Sequence, residues 1–393
     1  MPDTTELSKY ERVAAKFRQP QKEIGKEWFV LDGDRHLIEP LEAFTKYLDP
    51  EFKDRGPTIQ VDNGGGIRFV LEGRMYQKPM GSGMGRPEGN SDYRPRGESL
   101  TQEEAIKHCW DMRDEDMDIT GVDIGMWIPT AGLFLPDVED INLQYALMRA
   151  LNDWTGKDFA HNERHMWCGA VPLKVDLAVA EAKRCFQIGA KAMWLRPNIM
   201  HEVYWWKEDW DPFWKTLEEL KMPLLFHEAT GTYNATFSTD YKYDIYWMAH
   251  VASHPLEMCT ALIGMLGHGV LERFPGLKVM MCEAGVTWVP YFLGRMDEHV
   301  DSRPPGEVAL NNLPSETFRK QVCICAFEDD EPLLKETMEF MPGNVGYTSD
   351  YPHWDSSGIS GVKRYLDEFP DLDSDMRNKF FSHNLIDAFQ LDA

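Results

Sequence analysis

The sequence predicts a distorted (β/α)8 TIM barrel with an inserted lid after its first strand and a helical C-terminal tail. Three observations predict it. Eight short apolar runs occur along the chain, at Trp28–Leu31, Val122–Ile128, Met166–Val171, Ala190–Leu195, Pro223–Phe226, Leu277–Cys282, Val322–Cys325 and Val345–Tyr347. Amphipathic stretches such as Leu177–Ile188, Trp210–Leu220, Leu256–Leu266 and Glu331–Phe340 separate most of them. Short apolar strands alternating with such helices imply a parallel sheet, and eight units close naturally into a barrel. The competing fold, an open doubly wound sheet, lacks its glycine fingerprint after the first strand.

Taken in order, residues 1–27 form a polar, helix-prone leader, and the barrel occupies 28–390. Residues 50–100 differ in character, with Gly64-Gly-Gly66 and then Gly81-Ser-Gly-Met-Gly-Arg-Pro-Glu-Gly89. Long loops at the C-terminal ends of barrel strands commonly serve as lids or substrate walls, so this insertion is expected to cover the barrel mouth.

The chain has 393 residues, of which 43% are hydrophobic, and a net charge of −24. That length suits one large barrel with insertions. The charge argues against nucleic acid or an anionic membrane as partner, because both would repel it. The N-terminus, Met-Pro-Asp-Thr-Thr-Glu, has no signal pattern, and no apolar run approaches the roughly 20 residues that span a bilayer. The seven cysteines are scattered without zinc-ribbon spacing and read as buried thiols of a reducing, cytoplasmic compartment.

Chemistry is expected where strands end. The first strand runs into Asp32-Gly-Asp-Arg-His-Leu-Ile-Glu-Pro40, and alternation would put Asp32, Asp34 and His36 on one face. The fourth run ends at Arg196, the fifth at His227, the sixth at Glu283 and the eighth at Asp350. Asp34, His36, His227 and Asp350 converging at one mouth suit a divalent ion such as zinc, manganese or iron. Arg35 and Arg196 are candidate anion clamps, although alternation turns Arg35 away from the metal face. Trp127 and Trp194, with Tyr204, Trp205 and Trp206, suggest a hydrophobic or aromatic small-molecule substrate or else packing at the rim.

These motifs, with Gly269-Val-Leu-Glu-Arg-Phe-Pro-Gly-Leu-Lys-Val279 and Thr348-Ser-Asp-Tyr-Pro352, resemble the amidohydrolase superfamily from about residue 28 to 390. The branch is amidohydrolase family 2, which contains aminocarboxymuconate-semialdehyde, resorcylate and carboxyvanillate decarboxylases. The resemblance implies that Asp34 and His36 form the first-strand metal pair, with Asp34 where many relatives have His. It implies His227 as the fifth-strand ligand, and Asp350 as the eighth-strand ligand that handles the proton of metal-bound water. It also implies a homo-oligomer. The studied decarboxylases carry His after the sixth strand, where this chain has Glu283-Ala-Gly285. Glu283 could act as acid/base or, with His254, bind a second ion. No lysine ends strand four to bridge a conventional metal pair, so one ion is expected rather than two.

The leading expectation is a hydrolase in which metal-activated water attacks an acyl carbon of a small organic acid derivative. Asp350 shuttles the proton, Glu283 or His254 assists, and Arg196, Trp127 and Trp194 bind substrate. Glu283, which would repel a substrate carboxylate, tips that choice. The alternative is non-oxidative decarboxylation of an aromatic or enoic acid. A third reading, from another class, is a binding protein on a dead enzyme scaffold.

Overall fold

A computed structural model of the protein describes residues 7–19, 28–63, 67–79, 113–230, 246–304, 307, 310–326, 331–353 and 361–392. Eight parallel strands form one sheet in the order β1 (Leu31–Leu37), β5 (Ile124–Pro129), β6 (His165–Ala170), β7 (Ala192–Leu195), β8 (Leu224–Phe226), β9 (Val279–Met281), β10 (Val322–Ala326) and β11 (Val345–Tyr347). Their connections include helices at Ile141–Trp154, Val175–Gln187, Asp211–Leu220, Tyr246–Gly267 and Leu334–Phe340. This is the expected distorted TIM barrel. Seven of its strands sit where apolar runs predict them, because strands buried on both faces are apolar at nearly every position.

The first strand is displaced from its expected place. It spans Leu31–Leu37, so Asp34 and His36 lie within β1 instead of beyond its end, and all seven residues are buried. Polar residues tolerate this burial by pairing across the barrel's closing seam. Ser349 donates from its backbone N to Asp32 Oδ1 at 3.0 Å, and Arg35 Nη1 donates to Asp32 Oδ2 at 3.0 Å. The β1–β5 register is irregular between Asp32 and Arg35. Asp32 thus braces the seam and does not join Asp34 and His36, which corrects the expectation drawn from simple alternation. Arg35 is fully buried, with its guanidinium 4.4 Å from the Tyr351 ring centre and 5.0 Å from that of Trp127. It is a packing cation, and a Cβ on Gly125 would meet it at 2.5 Å.

The insertion contributes a three-stranded antiparallel sheet, β2 (Thr58–Val61), β3 (Ile67–Leu71) and β4 (Arg74–Pro79). Tyr76 of this sheet stacks on Phe134, in the segment Ala131–Asp137 that follows the C-terminal end of β5, with ring centres 4.2 Å apart. The insertion therefore packs at the mouth side. The glycine-rich stretch 81–89 and the rest of the expected lid from residue 80 to 100 lie outside the described residues, as does Cys109. The C-terminal tail is helical, and its Leu385 reaches the barrel floor, where a Cβ on Gly33 would meet it at 2.9 Å. From the leader, the helix Lys9–Phe17 packs on this tail, Tyr10 stacking on His383 at 3.9 Å. Among the described residues, no helix is long and apolar enough to cross a membrane.

Candidate metal centre

Ligand atoms of Asp34, His36, His227 and Asp350 lie within 4.8 Å of one another, and all four residues are buried. The two imidazoles come from opposite sides of the barrel, His36 from β1 and His227 from the first position after β8, with Nε2 atoms 3.0 Å apart. Each ring is oriented from behind. His36 Nδ1 donates to the Pro129 carbonyl at 3.2 Å, and His227 Nδ1 donates to the Glu228 carbonyl at 2.6 Å. Both Nε2 lone pairs then point at one spot, an arrangement that suits a shared cation and not a hydrogen bond between two acceptors. His36 Nε2 is 3.3 Å from Asp34 Oδ1 and 3.1 Å from Asp350 Oδ1, and His227 Nε2 is 3.5 Å from Asp34 Oδ2. Among the described residues, the only groups facing the oxygens of Asp34 are these imidazole nitrogens, and neither oxygen receives a well-formed hydrogen bond, although the residue is fully buried. A buried carboxylate without donors is costly unless a cation meets it. The donor set of imidazole nitrogen and carboxylate oxygen fits a divalent ion.

The electrostatics agree. Burial favours a protonated Asp34, yet the imidazoles of His227 and His36 outweigh it and hold the carboxyl below its usual range. Burial depresses His36. Burial also opposes charge on His227, but Asp34 and Glu283 overcome it and raise its pKa to about 10. The centre thus demands a positive charge, and in the absence of an ion a proton on His227 supplies it.

Glu283 and Asp350 both adopt left-handed backbone, with φ of 53° and 52°. Such angles are uncommon outside glycine and mark sites where local strain is held by surrounding structure. Glu283 brings Oε2 to 3.0 Å from His227 Nε2, and its Oε1 faces His250 Nε2 at 3.4 Å. Burial opposes its ionisation, but His254, His227 and His250 hold its carboxyl well below the usual range. His254 is less available than expected. Its Nδ1 donates to the Glu283 carbonyl at 2.6 Å and its Nε2 accepts from Thr230 Oγ1 at 3.0 Å. Burial lowers its pKa to about 4, so it is a neutral positioning group at pH 7.

Two further histidines and a threonine extend the site. His353 stacks on His36 with ring centres 3.8 Å apart and contacts Asp350 Oδ1 through Nδ1 at 3.0 Å. Thr130 Oγ1 lies 3.2 Å from His36 Nδ1 and 3.1 Å from His353 Nε2. His250 stands one helical turn before His254, the rings 4.1 Å apart. Sequence reasoning passed over His353 and His250. The signals were present, since one follows Asp350 by three residues and the other precedes His254 by four on a helix.

The expected substrate residues separate. Trp127 packs against Phe159 at 5.2 Å and His165 at 5.7 Å, near the start of β6, and so belongs to the packing between barrel and helices and not to the mouth. Trp205 likewise packs on Trp206, Trp214 and Phe226. Arg196 is buried at the end of β7, its Nη2 bonded to Glu228 Oε1 at 2.6 Å and to the Ala229 carbonyl at 3.1 Å. Burial resists ionisation of Glu228, but Arg196 outweighs it and lowers its pKa. Trp194 lies on the same inward face. Its neighbour Met193 points outward, because a Cβ on Gly169 would meet both Met193 Sδ at 2.9 Å and Cys185 Sγ at 2.7 Å.

Barrel and buried centre together define a metal-dependent enzyme with its site at the C-terminal ends of the strands. A family model described as amidohydrolase matches residues 119–390, and the chain belongs to that family, amidohydrolase family 2. The 2-amino-3-carboxymuconate-6-semialdehyde decarboxylase of Dictyostelium discoideum is 22% identical over 263 residues, covering 63% of this chain and 68% of the relative. An amidohydrolase from Mycobacterium avium subsp. paratuberculosis K-10 superposes with a TM-score of 0.76 at 22% identity, covering 94% of this chain and 99% of that one. The 5-carboxyvanillate decarboxylase of Novosphingobium aromaticivorans DSM 12444, solved with bound manganese, gives 0.65 at 17% identity over 95% of this chain and 100% of that one. These findings correct the expectation of a hydrolase, because the named activities among the similar proteins are decarboxylations. The feature that tipped that expectation, Glu283 in place of a histidine, also looks different in three dimensions, since His250 returns an imidazole to its side.

Proposed function

We infer that this protein is a metal-dependent decarboxylase that removes CO2, without net oxidation, from an aromatic or enoic carboxylic acid. The observation that carries the reading is the similarity to a decarboxylase over 263 residues, in a chain whose Asp34, His36, His227 and Asp350 converge on one buried point. These four residues would hold one divalent ion. When bound, the ion supplies Lewis acidity, fixing substrate oxygens and offsetting negative charge as the carbon–carbon bond breaks.

The chain's own residues supply the rest. Breaking the bond to the carboxyl group leaves an electron pair on carbon, and that carbon takes a proton in exchange for CO2. We assign the proton to the pair formed by Glu283 Oε1 and His250 Nε2, 3.4 Å apart. His254, hydrogen-bonded to the Glu283 carbonyl, fixes the backbone that presents this carboxylate. His353 and Thr130 orient Asp350 and His36 from behind.

The test is an assay of the manganese-loaded protein against carboxyl-labelled aromatic and enoic acids, following labelled CO2. Catalytic release from at least one such acid, lost on chelation, is expected. Labelled carboxyl that stays in the product while an ester or amide is cleaved would overturn the reading.

A further inference from the structure

Glu39 stands two residues past the end of β1 and is buried. Its carboxylate receives three consecutive backbone N–H groups. Thr130 N lies 3.1 Å from both oxygens, Ala131 N donates to Oε2 at 3.0 Å, and Gly132 N donates to Oε1 at 2.9 Å. Burial pushes its pKa up to about 7 against these bonds. A buried carboxylate held by neutral donors is costly to keep. What it secures is the turn at the C-terminal end of β5, where Thr130 precedes the segment Ala131–Asp137. A carboxylate suits that turn because it only accepts, whereas an amide in its place would set N–H against N–H.

The turn presents one hydroxyl to the metal centre. Thr130 Oγ1 lies 3.2 Å from His36 Nδ1 and 3.1 Å from His353 Nε2. A hydroxyl has one proton to give. His36 does not take it, because its Nδ1 already carries the proton that it donates to the Pro129 carbonyl at 3.2 Å. The hydroxyl proton therefore goes to His353 Nε2, which must offer a lone pair. A neutral His353 then holds its own proton on Nδ1, 3.0 Å from Asp350 Oδ1 and 3.1 Å from Oδ2. The opposite tautomer would turn a lone pair toward that buried carboxylate and deprive it of a donor.

We propose that Glu39 is a positioning residue: by fixing the backbone of Thr130 it aims the threonine hydroxyl at His353 Nε2, which keeps the ring proton of His353 on Nδ1 and directed at Asp350. The consequence is that a carboxylate of the centre keeps its supporting donor, and the centre keeps its ion. This rests on Asp350 and His36 holding the ion, as in the reading above, but not on which bond the enzyme breaks.

The test is nitrogen NMR of the full chain with ring-labelled histidines at pH 8, metal-free and loaded with zinc, which is diamagnetic. His353→Gln assigns the signal. The wild type should show a neutral His353 with its proton on Nδ1. Thr130→Val should lose that pure Nδ1–H form and bind zinc at least about 10-fold more weakly, while Thr130→Ser, which keeps the hydroxyl, should restore both. Glu39→Gln should behave as Thr130→Val does; should it not fold, the two Thr130 variants decide. A wild-type proton on Nε2 or on both nitrogens would overturn the proposal. So would a folded Thr130→Val or Glu39→Gln with the wild-type tautomer and zinc affinity. If the wild type shows the Nδ1–H form but binds no divalent ion, only the metal reading falls. If it binds zinc with the proton on Nε2, only this proposal falls.

Discussion

The backbone N–H of Asp350 donates to the carbonyl of Asp34 at 3.1 Å, so the bond that helps close the barrel also sets two acidic side chains at one point. The next link, His36 N to the Tyr351 carbonyl at 2.7 Å, does the same for an imidazole. β11 and β1 meet through these residues, which makes closure of the seam and assembly of the centre one event. Ion binding should therefore stabilise the whole barrel. At free manganese 100 times its dissociation constant, the gain should be about 2.7 kcal/mol. Urea unfolding with and without manganese checks this, and His227→Ala should lose both the ion and the increment. Full metal occupancy in that variant would remove His227 from the centre.

Proton release provides a second check. Metal-free His227 titrates at about 10, so at pH 7.5 an incoming ion must displace its proton. Affinity should rise as pH increases toward that value, with close to one proton released per ion. Calorimetry in two buffers of different ionisation enthalpy measures the count. A count near zero would mean that His227 enters the centre already neutral.

Glu283→Gln removes the carboxylate charge while keeping its shape. The ion should stay, because the other four groups surround it, and turnover should fall by about 10²-fold or more. Loss of metal in this variant would instead make Glu283 a ligand. Normal metal content with near-normal turnover would exclude both roles.

Away from the centre, His165 reports on stability. Burial lowers its pKa to about 4, while Nε2–H donates to Asp114 at 2.7 Å. Below its ordinary value the unfolded chain binds a proton that the folded chain refuses, so this residue's effect is a loss of stability as pH falls from about 6.5 toward 4. Between pH 7 and 5 the loss is about 2 kcal/mol. Comparing wild type with His165→Gln at both pH values isolates it, since Asp114, whose carboxyl His165 holds below its usual range, stays ionised between pH 7 and 5 in either protein and groups away from His165 cancel in the difference. Equal pH dependence in the two proteins would show that His165 titrates normally.

The sequence was most legible where burial is two-sided. Strands such as Val322–Ala326 and helices such as Val175–Gln187 follow hydrophobic periodicity closely. β1 was harder to place because its polar residues are buried by partners more than 300 positions away, as Asp32 is by Ser349. The residues converging on the centre were readable as residues just past apolar runs. Their supporting groups were not, since the stacking of His353 on His36 and the approach of His250 to Glu283 depend on how distant segments meet. Trp127 was misread for a related reason. Nearness to a strand end says nothing about which side of the barrel wall a ring occupies.

The most direct test of the function is turnover in D2O with a carboxyl-labelled substrate. Decarboxylation predicts one labelled CO2 and one deuterium placed on the carbon that lost it, in equal amounts, with both falling together by about 10²-fold or more in Asp350→Asn. A product that keeps its labelled carboxyl, takes oxygen from solvent and carries no new carbon–deuterium bond would contradict it.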